Sequence, residues 1–290
     1  MCISADGRGG TTHHRRTPQV VADHSGGFLF FRVLGPLEVV VGGEPFPLRR
    51  NRQLTVLAML LLNAGKPVSV PRLVEAVWGG RPPRTAAAQI QTCIWSLRKM
   101  FVASGADEAI IETKPSGYIM QPHDDQLDMV QFDRLVEEAR AVGARLDRAT
   151  AISAYRRALG MYRGPVLAEI SSPAVQAIAS LCEERRLTVL EDCIDLELSV
   201  GLHGELVGRL MELVHDHPLR ERFCGQLMLA LYGDDRRAEA LAAYRTTRQT
   251  LVAQLGLEPG VRLQELHRKI LTGELDSPHR AAGHFAAYAG

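Results

Sequence analysis

The chain has 290 residues, 46% of them hydrophobic, and a formal net charge of +1. At roughly 100–200 residues per domain this length predicts two packed domains. The apolar content excludes a largely disordered chain, and no apolar run approaches the roughly 20 residues of a membrane span. The near-zero charge hides an asymmetry: residues 28–122 hold eleven Lys/Arg against six Asp/Glu, net +5, and residues 123–290 hold twenty against twenty-five, net −5.

Residues 1–27 are rich in Gly, Thr, His and Arg and predict a disordered segment. They carry positive charge but no following apolar core, so a signal peptide is not expected there. His13 and His14 have no Cys or carboxylate at ligand spacing, so no metal is expected. From Phe28, FLFFRVLGPLEVVVGGEPFPL is β-branched and aromatic, broken by Gly35-Pro36 and Gly42-Gly43, which reads as two or three short antiparallel strands. RRNRQLTVLAMLLLNAG is a helix opening with three arginines, with Leu54, Leu57, Ala58, Leu61 and Leu62 as its core stripe and Gly65 at its end. Lys66–Val68 suit a very short strand.

The next stretch, Ser69–Phe101, is the centre of the chain. Ser69 is placed to cap a short helix with Pro71 in its first turn, facing Leu73, Val74, Val77 and Trp78 inward, and Gly79-Gly80 stop it. The turn GGRPPR is longer than the three or four residues of a tight helix-turn-helix. Thr85 then caps a long amphipathic helix. At 100° per residue Ala86, Ile90, Cys93, Ile94, Leu97 and Phe101 share one side; Gln91, Thr92, Trp95 and Lys99 share the other, with Ser96 and Arg98 at its edges. A solvated face would alternate Glu and Lys. This one has no acid, and offers cations, amide and hydroxyl donors and a tryptophan, the chemistry of a helix in a DNA groove. Trp95 either packs on sugar or a thymine methyl, or turns into the core. IIETKPSGYIMQP follows as strand, turn and strand, a wing with Lys114, Ser116 and Tyr118 at or near its tip.

From Asp128 to Leu275 the patterning is almost wholly helical, in seven successive segments. Several read as pairs, which suggests a tetratricopeptide-like array, and Ala-Tyr-Arg recurs at Ala154–Arg156 and Ala243–Arg245. Residues 276–290, Ala/Gly/His-rich, predict a flexible tail. The fold class is thus mainly α with a small β part: a winged helix-turn-helix over 28–122 followed by an all-α domain over 128–275.

Several phrases carry a family resemblance. FRVLGPLEVVVGGEPFPL, RQLTVLAMLLLNAGKPVSVPRLVEAVWG, PPRTAAAQIQTCIWSLRK and PSGYIM resemble the Streptomyces antibiotic regulatory protein family. FDRLVEEAR, YRGPVLAEI, HPLRERFCGQLMLALYG and AEALAAYRTTRQTLVAQLGLEPG resemble its partner, the bacterial transcriptional activation domain. The likeness covers roughly residues 28–275. It implies an OmpR-type winged helix, and an activator of a secondary-metabolite cluster that binds direct repeats of double-stranded DNA as side-by-side homodimers. It also implies recruitment of RNA polymerase with its sigma factor, and a cytoplasmic place. Thr85–Lys99 match the recognition helix and Lys114–Tyr118 the wing. Gly79–Arg84, with Arg81, Pro82, Pro83 and Arg84, match the loop that faces polymerase. Ala87, Ala88 and Ser96 depart from relatives that carry polar or basic residues there, which shifts specificity onto the rest of the helix. With no receiver module before the winged helix, an aspartate-phosphorylation switch is not expected. With the chain ending after the helical part, a single-module member is expected.

Arg49, Arg50, Arg52, Arg84, Arg98, Lys99 and Lys114 are the candidates for phosphate contacts, and Gln91 and Thr92 for base edges. Enzyme readings fail on the residues: NAGKP lacks the earlier glycine of a phosphate loop and has Pro67 after its lysine, and there is no GxSxG elbow. No cofactor is expected. The cysteines, five and dispersed without a CxxC pair, read as reduced thiols. The alternative function is a protein-interaction or ligand-sensing regulator in which the helical array leads and DNA binding is secondary.

Overall fold

The computed structural model describes residues 29–48, 51–105, 107–143 and 147–275. The expected disorder of residues 1–27, the tail 276–290, and the candidates Arg49 and Arg50 lie outside the described residues. Strands β1 (Leu29–Arg32), β2 (Glu38–Val41) and β3 (Glu44–Phe46) form an antiparallel sheet in that order. Helices α1 (Asn51–Leu61), α2 (Val70–Trp78) and α3 (Ala86–Ala103) follow, then the hairpin β4 (Ile111–Lys114) and β5 (Gly117–Met120). The strand expected at Lys66–Val68 is a single bridge, Val68 to Tyr118, which adds a third chain to the wing.

The stripe expected on α1 is too narrow. Every residue from Thr55 to Leu61 is buried, because α2, α3, β5 and the later helix α6 (Pro173–Ser199) all pack on α1. On α2 only Leu73 and Ala76 are fully buried, while Val74, Val77 and Trp78 are half-buried at the core's edge. Ser69 caps α2 as expected, its Oγ accepting from Arg72 N–H at 3.4 Å.

Among the described residues seven helices make the second half: α4 (Asp128–Gly143), α5 (Arg148–Leu159), α6, α7 (His203–Asp216), α8 (Glu221–Gly233), α9 (Arg237–Leu255) and α10 (Val261–Thr272). Sequence-adjacent helices pack against one another, α4 with α5, α7 with α8 and α8 with α9. The recurring tyrosines, Tyr155 and Tyr244, are both buried. The long α6 is tied to α8 through Arg220 and Arg222, which reach Glu184, Glu191, Asp192 and Asp195. Burial pushes the Cys182 and Cys224 thiols up to about 11 and Cys193 up to about 12.

The two halves are not independent bodies. The segment between the two expected domains, residues 123–127, runs beside β1: Phe31 N–H donates to Gln126 O at 2.7 Å, and Leu127 bridges Phe31 in parallel. The β1–β2 loop enters the helical half. Leu34 is buried among Phe132, Val136, Tyr155 and Val189. Val33 and Leu34 donate their N–H groups to the Asp128 carboxylate at 2.9–3.0 Å, and Leu37 donates to Glu169 at 2.6 Å. Arg163 closes the clasp, its N–H donating to Leu34 O and its guanidinium pairing with Glu38 at 2.8 Å. Gly35 has φ +139°, and a Cβ there would stand 3.1 Å from the Arg163 Cβ, so only glycine lets the two chains meet. One hydrophobic cluster then spans both halves, joining Phe31, Leu57 and Phe101 to Leu167, Ile170 and Val175. The physical reason is area: a three-stranded sheet this small covers its outer face only by leaning on a neighbour.

Candidate nucleic-acid interface

The 18 residues of α3 make a rod about 27 Å long. Ala86, Ile90, Ile94, Leu97 and Phe101 are buried on one side, and Phe101 meets Phe31 edge-on at 5.4 Å between ring centroids. Cys93 is half-buried rather than fully in the core. On the opposite side Gln91, Thr92, Trp95 and Lys99 are exposed together. Trp95 is 62% exposed, so it does not turn into the core, and the Lys99 ammonium lies 5.3 Å from its ring centroid. That contact holds a flat apolar face and a cation in one patch. The Thr92 hydroxyl donates to Ala88 O at 3.0 Å, so what it offers outward is lone pairs. Gln91 has no side-chain partner among the described residues.

Three ties hold this helix in place. Gln53 Nε2 on α1 donates to Ser96 Oγ at 2.8 Å. Arg98, half-buried, donates through Nε and Nη2 to Ile111 O at 2.8 and 2.6 Å and through Nη2 to Thr113 Oγ1 at 2.8 Å. Its guanidinium therefore latches the helix to β4, and Nη1 makes no hydrogen bond among the described residues. Arg52, over the Trp78 ring at 5.4 Å, donates through Nη1 to Gln89 Oε1 at 2.5 Å, and Gln89 Nε2 donates to Thr85 Oγ1 at 2.9 Å. Thr85 was expected to cap α3 with its side chain; its hydroxyl makes no cap bond and serves Gln89 instead. Its φ and ψ of −90° and 8° are not the extended conformation that aims an N-cap oxygen at the N2 or N3 N–H.

The wing departs from expectation at one residue. Ser116 is exposed in the turn, and Lys114 pairs with Glu112 on the same strand. Tyr118 is only 7% exposed: it alternates inward, and its backbone exchanges hydrogen bonds with Val68 at 2.8 and 3.0 Å. Tyr118 thus anchors the wing rather than tipping it. Gly117, at φ +139°, lies flush on Val68 and Ser69; a Cβ would run into the Val68 carbonyl and come within 2.7 Å of Ser69 Cα. That contact brings the first turn of α2, with the exposed Arg72, beside the wing. Arg72 was missed by the sequence reading, since nothing in VPRLVEAVW marks its proximity to a hairpin 45 residues on. Arg81, Pro82, Pro83 and Arg84 are all exposed in the α2–α3 loop, and neither arginine has a side-chain partner among the described residues.

A winged helix with an acid-free exposed face, fused to an array of paired helices, defines a class: transcriptional regulators built from a DNA-binding module and an activator module. The family models agree. Residues 43–120 match "Transcriptional regulatory protein, C terminal", and residues 127–271, half of the chain, match "Bacterial transcriptional activator domain". The chain belongs to the Streptomyces antibiotic regulatory protein family. It is 33% identical to the regulatory protein DnrI of Streptomyces peucetius, over 83% of this chain and 92% of that one. It is 36% identical to the regulatory protein AfsR of Streptomyces griseus over 90% of this chain, and spans only 26% of that longer protein. Its fold is similar to a structure of Mycobacterium tuberculosis EmbR in complex with a low-affinity phosphopeptide, with a TM-score of 0.83 and 32% identity, covering 90% of this chain and 69% of that one. The matched domains and relatives are transcriptional regulators, not enzymes. No helix among the described residues is long and apolar enough to cross a membrane.

Proposed function

We propose that this protein is a sequence-specific DNA-binding activator that lays α3 in the major groove and the wing along the neighbouring backbone. The observation that carries the reading is the exposed face of α3, where Gln91, Thr92, Trp95 and Lys99 stand together with no carboxylate on the helix. Lys99, Arg84, Lys114 and Arg72 neutralise phosphates and orient the protein, while Gln91 and Thr92 read base edges. Trp95 packs on sugar or a thymine methyl. Residues Arg81–Arg84 project from the opposite end of α2 and face RNA polymerase or its sigma factor. Two copies occupy direct repeats upstream of promoters, in a cytoplasmic setting, and the regulated genes belong to an antibiotic or other secondary-metabolite cluster. The family membership and the relative DnrI support this reading.

The test is a mobility-shift titration of the full chain at several salt concentrations, comparing direct-repeat promoter fragments from its host with random duplex. Specific binding should exceed random binding by about 10³-fold or more. Equal affinity for both would overturn the proposal and leave the helical array, with its cleft of about 470 Å³ between α7, α8 and α9, as the working part.

A further inference from the structure

Gln89 lies on α3 at the border between its buried and exposed sides, one turn before Thr92 and Cys93. These residues, with Asn51, Arg52 and Gln53, line an open cleft of about 420 Å³ beside the groove-facing surface. A glutamine at such a border is a candidate base reader, and a free one pairs bidentately with adenine by accepting from N6 and donating to N7. Gln89 is not free. Its oxygen accepts from the Arg52 guanidinium, one of its N–H bonds is given to Thr85 Oγ1, and the amide is therefore pinned at both ends. Arg52 is itself fixed from the far side by the Trp78 ring.

The consequence is chemical. A guanidinium on Oε1 forbids the flip that would exchange oxygen and nitrogen, spends acceptor capacity on a cation, and polarises the remaining N–H into a stronger donor. The amide's outward character becomes that of a donor. In the major groove guanine presents acceptors only, N7 and O6, whereas adenine presents an acceptor and a donor. We propose that Arg52 is a positioning residue for base recognition: by holding the Gln89 amide it turns the base preference at that contact from adenine to guanine. This inference rests on the DNA-binding reading above. It gives Arg52 a role in specificity where the sequence suggested a phosphate contact.

The experiment is selection of binding sites from a random-sequence duplex library by the full chain and three variants, with thermal unfolding as a check of the fold. Wild type should favour guanine over adenine at one position by about fivefold or more. Gln89→Ala should flatten that position. Arg52→Ala should bring guanine and adenine to parity or reverse them there, leaving other positions as in wild type. Gln89→Glu keeps an acceptor for Arg52 but has no N–H, so preference should pass to cytosine, whose N4 donates; this variant retains the Arg52 contact and reads the same position if Arg52→Ala fails to fold. An Arg52→Ala profile identical to wild type, with affinity merely lower at all sequences, would make Arg52 a phosphate contact and overturn the proposal. So would a Gln89→Glu profile unchanged from wild type. If wild type itself enriches no sequence, the DNA-binding reading fails, and this inference with it; the two failures are told apart by that wild-type result.

Discussion

Replacing Asp128 by alanine tests whether the two halves melt as one. The Asp128 side chain is 3% exposed and accepts from Val33 and Leu34, whose own residues are 0% and 1% exposed. Alanine leaves two backbone N–H groups without a partner in a place water does not reach, at about 1–3 kcal/mol each. Part of that is offset, because burial raises the Asp128 pKa and its charged form already carries a desolvation penalty, only partly relieved by the two N–H bonds and Arg163. The net expectation is a loss of about 2–4 kcal/mol. For a folded body of roughly 150–250 residues each kcal/mol lowers the melting temperature by about 2–4 °C, so a fall of about 4–16 °C is expected. Both tryptophans, Trp78 and Trp95, are in the winged-helix half, whereas the far-ultraviolet dichroism arises mostly from the helices after Asp128. The fluorescence and dichroism transitions should therefore coincide in wild type and fall together in the variant. A fall below about 1 °C, or a fluorescence transition that moves while the dichroism stays, would refute the shared-core account.

The remaining predictions are direct. Because the folded pKa of Asp128 is raised above its ordinary 3.8, its contribution is fully present below that value and is lost as pH rises through the folded pKa. Urea midpoints of wild type minus those of Asp128→Asn should accordingly shrink as pH climbs from about 4, then level off; a difference that grows with pH would contradict this. Lys99→Ala should weaken DNA binding at all sequences and reduce the salt slope by about one, whereas Gln91→Ala should alter base preference in a selection experiment. Gly117→Ala should cost about 1–3 kcal/mol from its backbone conformation alone and should lower DNA affinity by displacing the wing from α2; a variant with native stability and binding would sink that assignment. Cys182, Cys193 and Cys224, with pKa values raised to about 11–12 by burial, should resist thiol labelling at pH 7.5 until the chain unfolds, read peptide by peptide by mass spectrometry.

The two-sided character of α3 was legible because a helix writes its period into the chain. Ala86, Ile90, Ile94, Leu97 and Phe101 recur at helical spacing, and what lies between them is by geometry the other face. The wing was legible from Pro115, Ser116 and Gly117 between two β-rich runs, and the seven later helices from their apolar stripes. The burial of Tyr118 was hidden, because it comes with the docking of the hairpin on the core, where Val68, 50 residues earlier, pairs beside it as a third chain.

What the sequence by itself determined is the local order: which segments are helices and strands, which side of α3 is apolar, and that its other side is free of acid. These follow from periodicity, turn chemistry and composition, all of which act over a few residues. Only the tertiary structure decided that Arg98 is latched to β4, that Arg52 holds Gln89, and that Asp128 and Glu169 receive the β1–β2 loop. Those partners stand 13, 37, 95 and 132 residues apart in the chain. A buried N–H or an amide oxygen accepts whichever partner the packing brings within 3 Å, and no local pattern records which one that is.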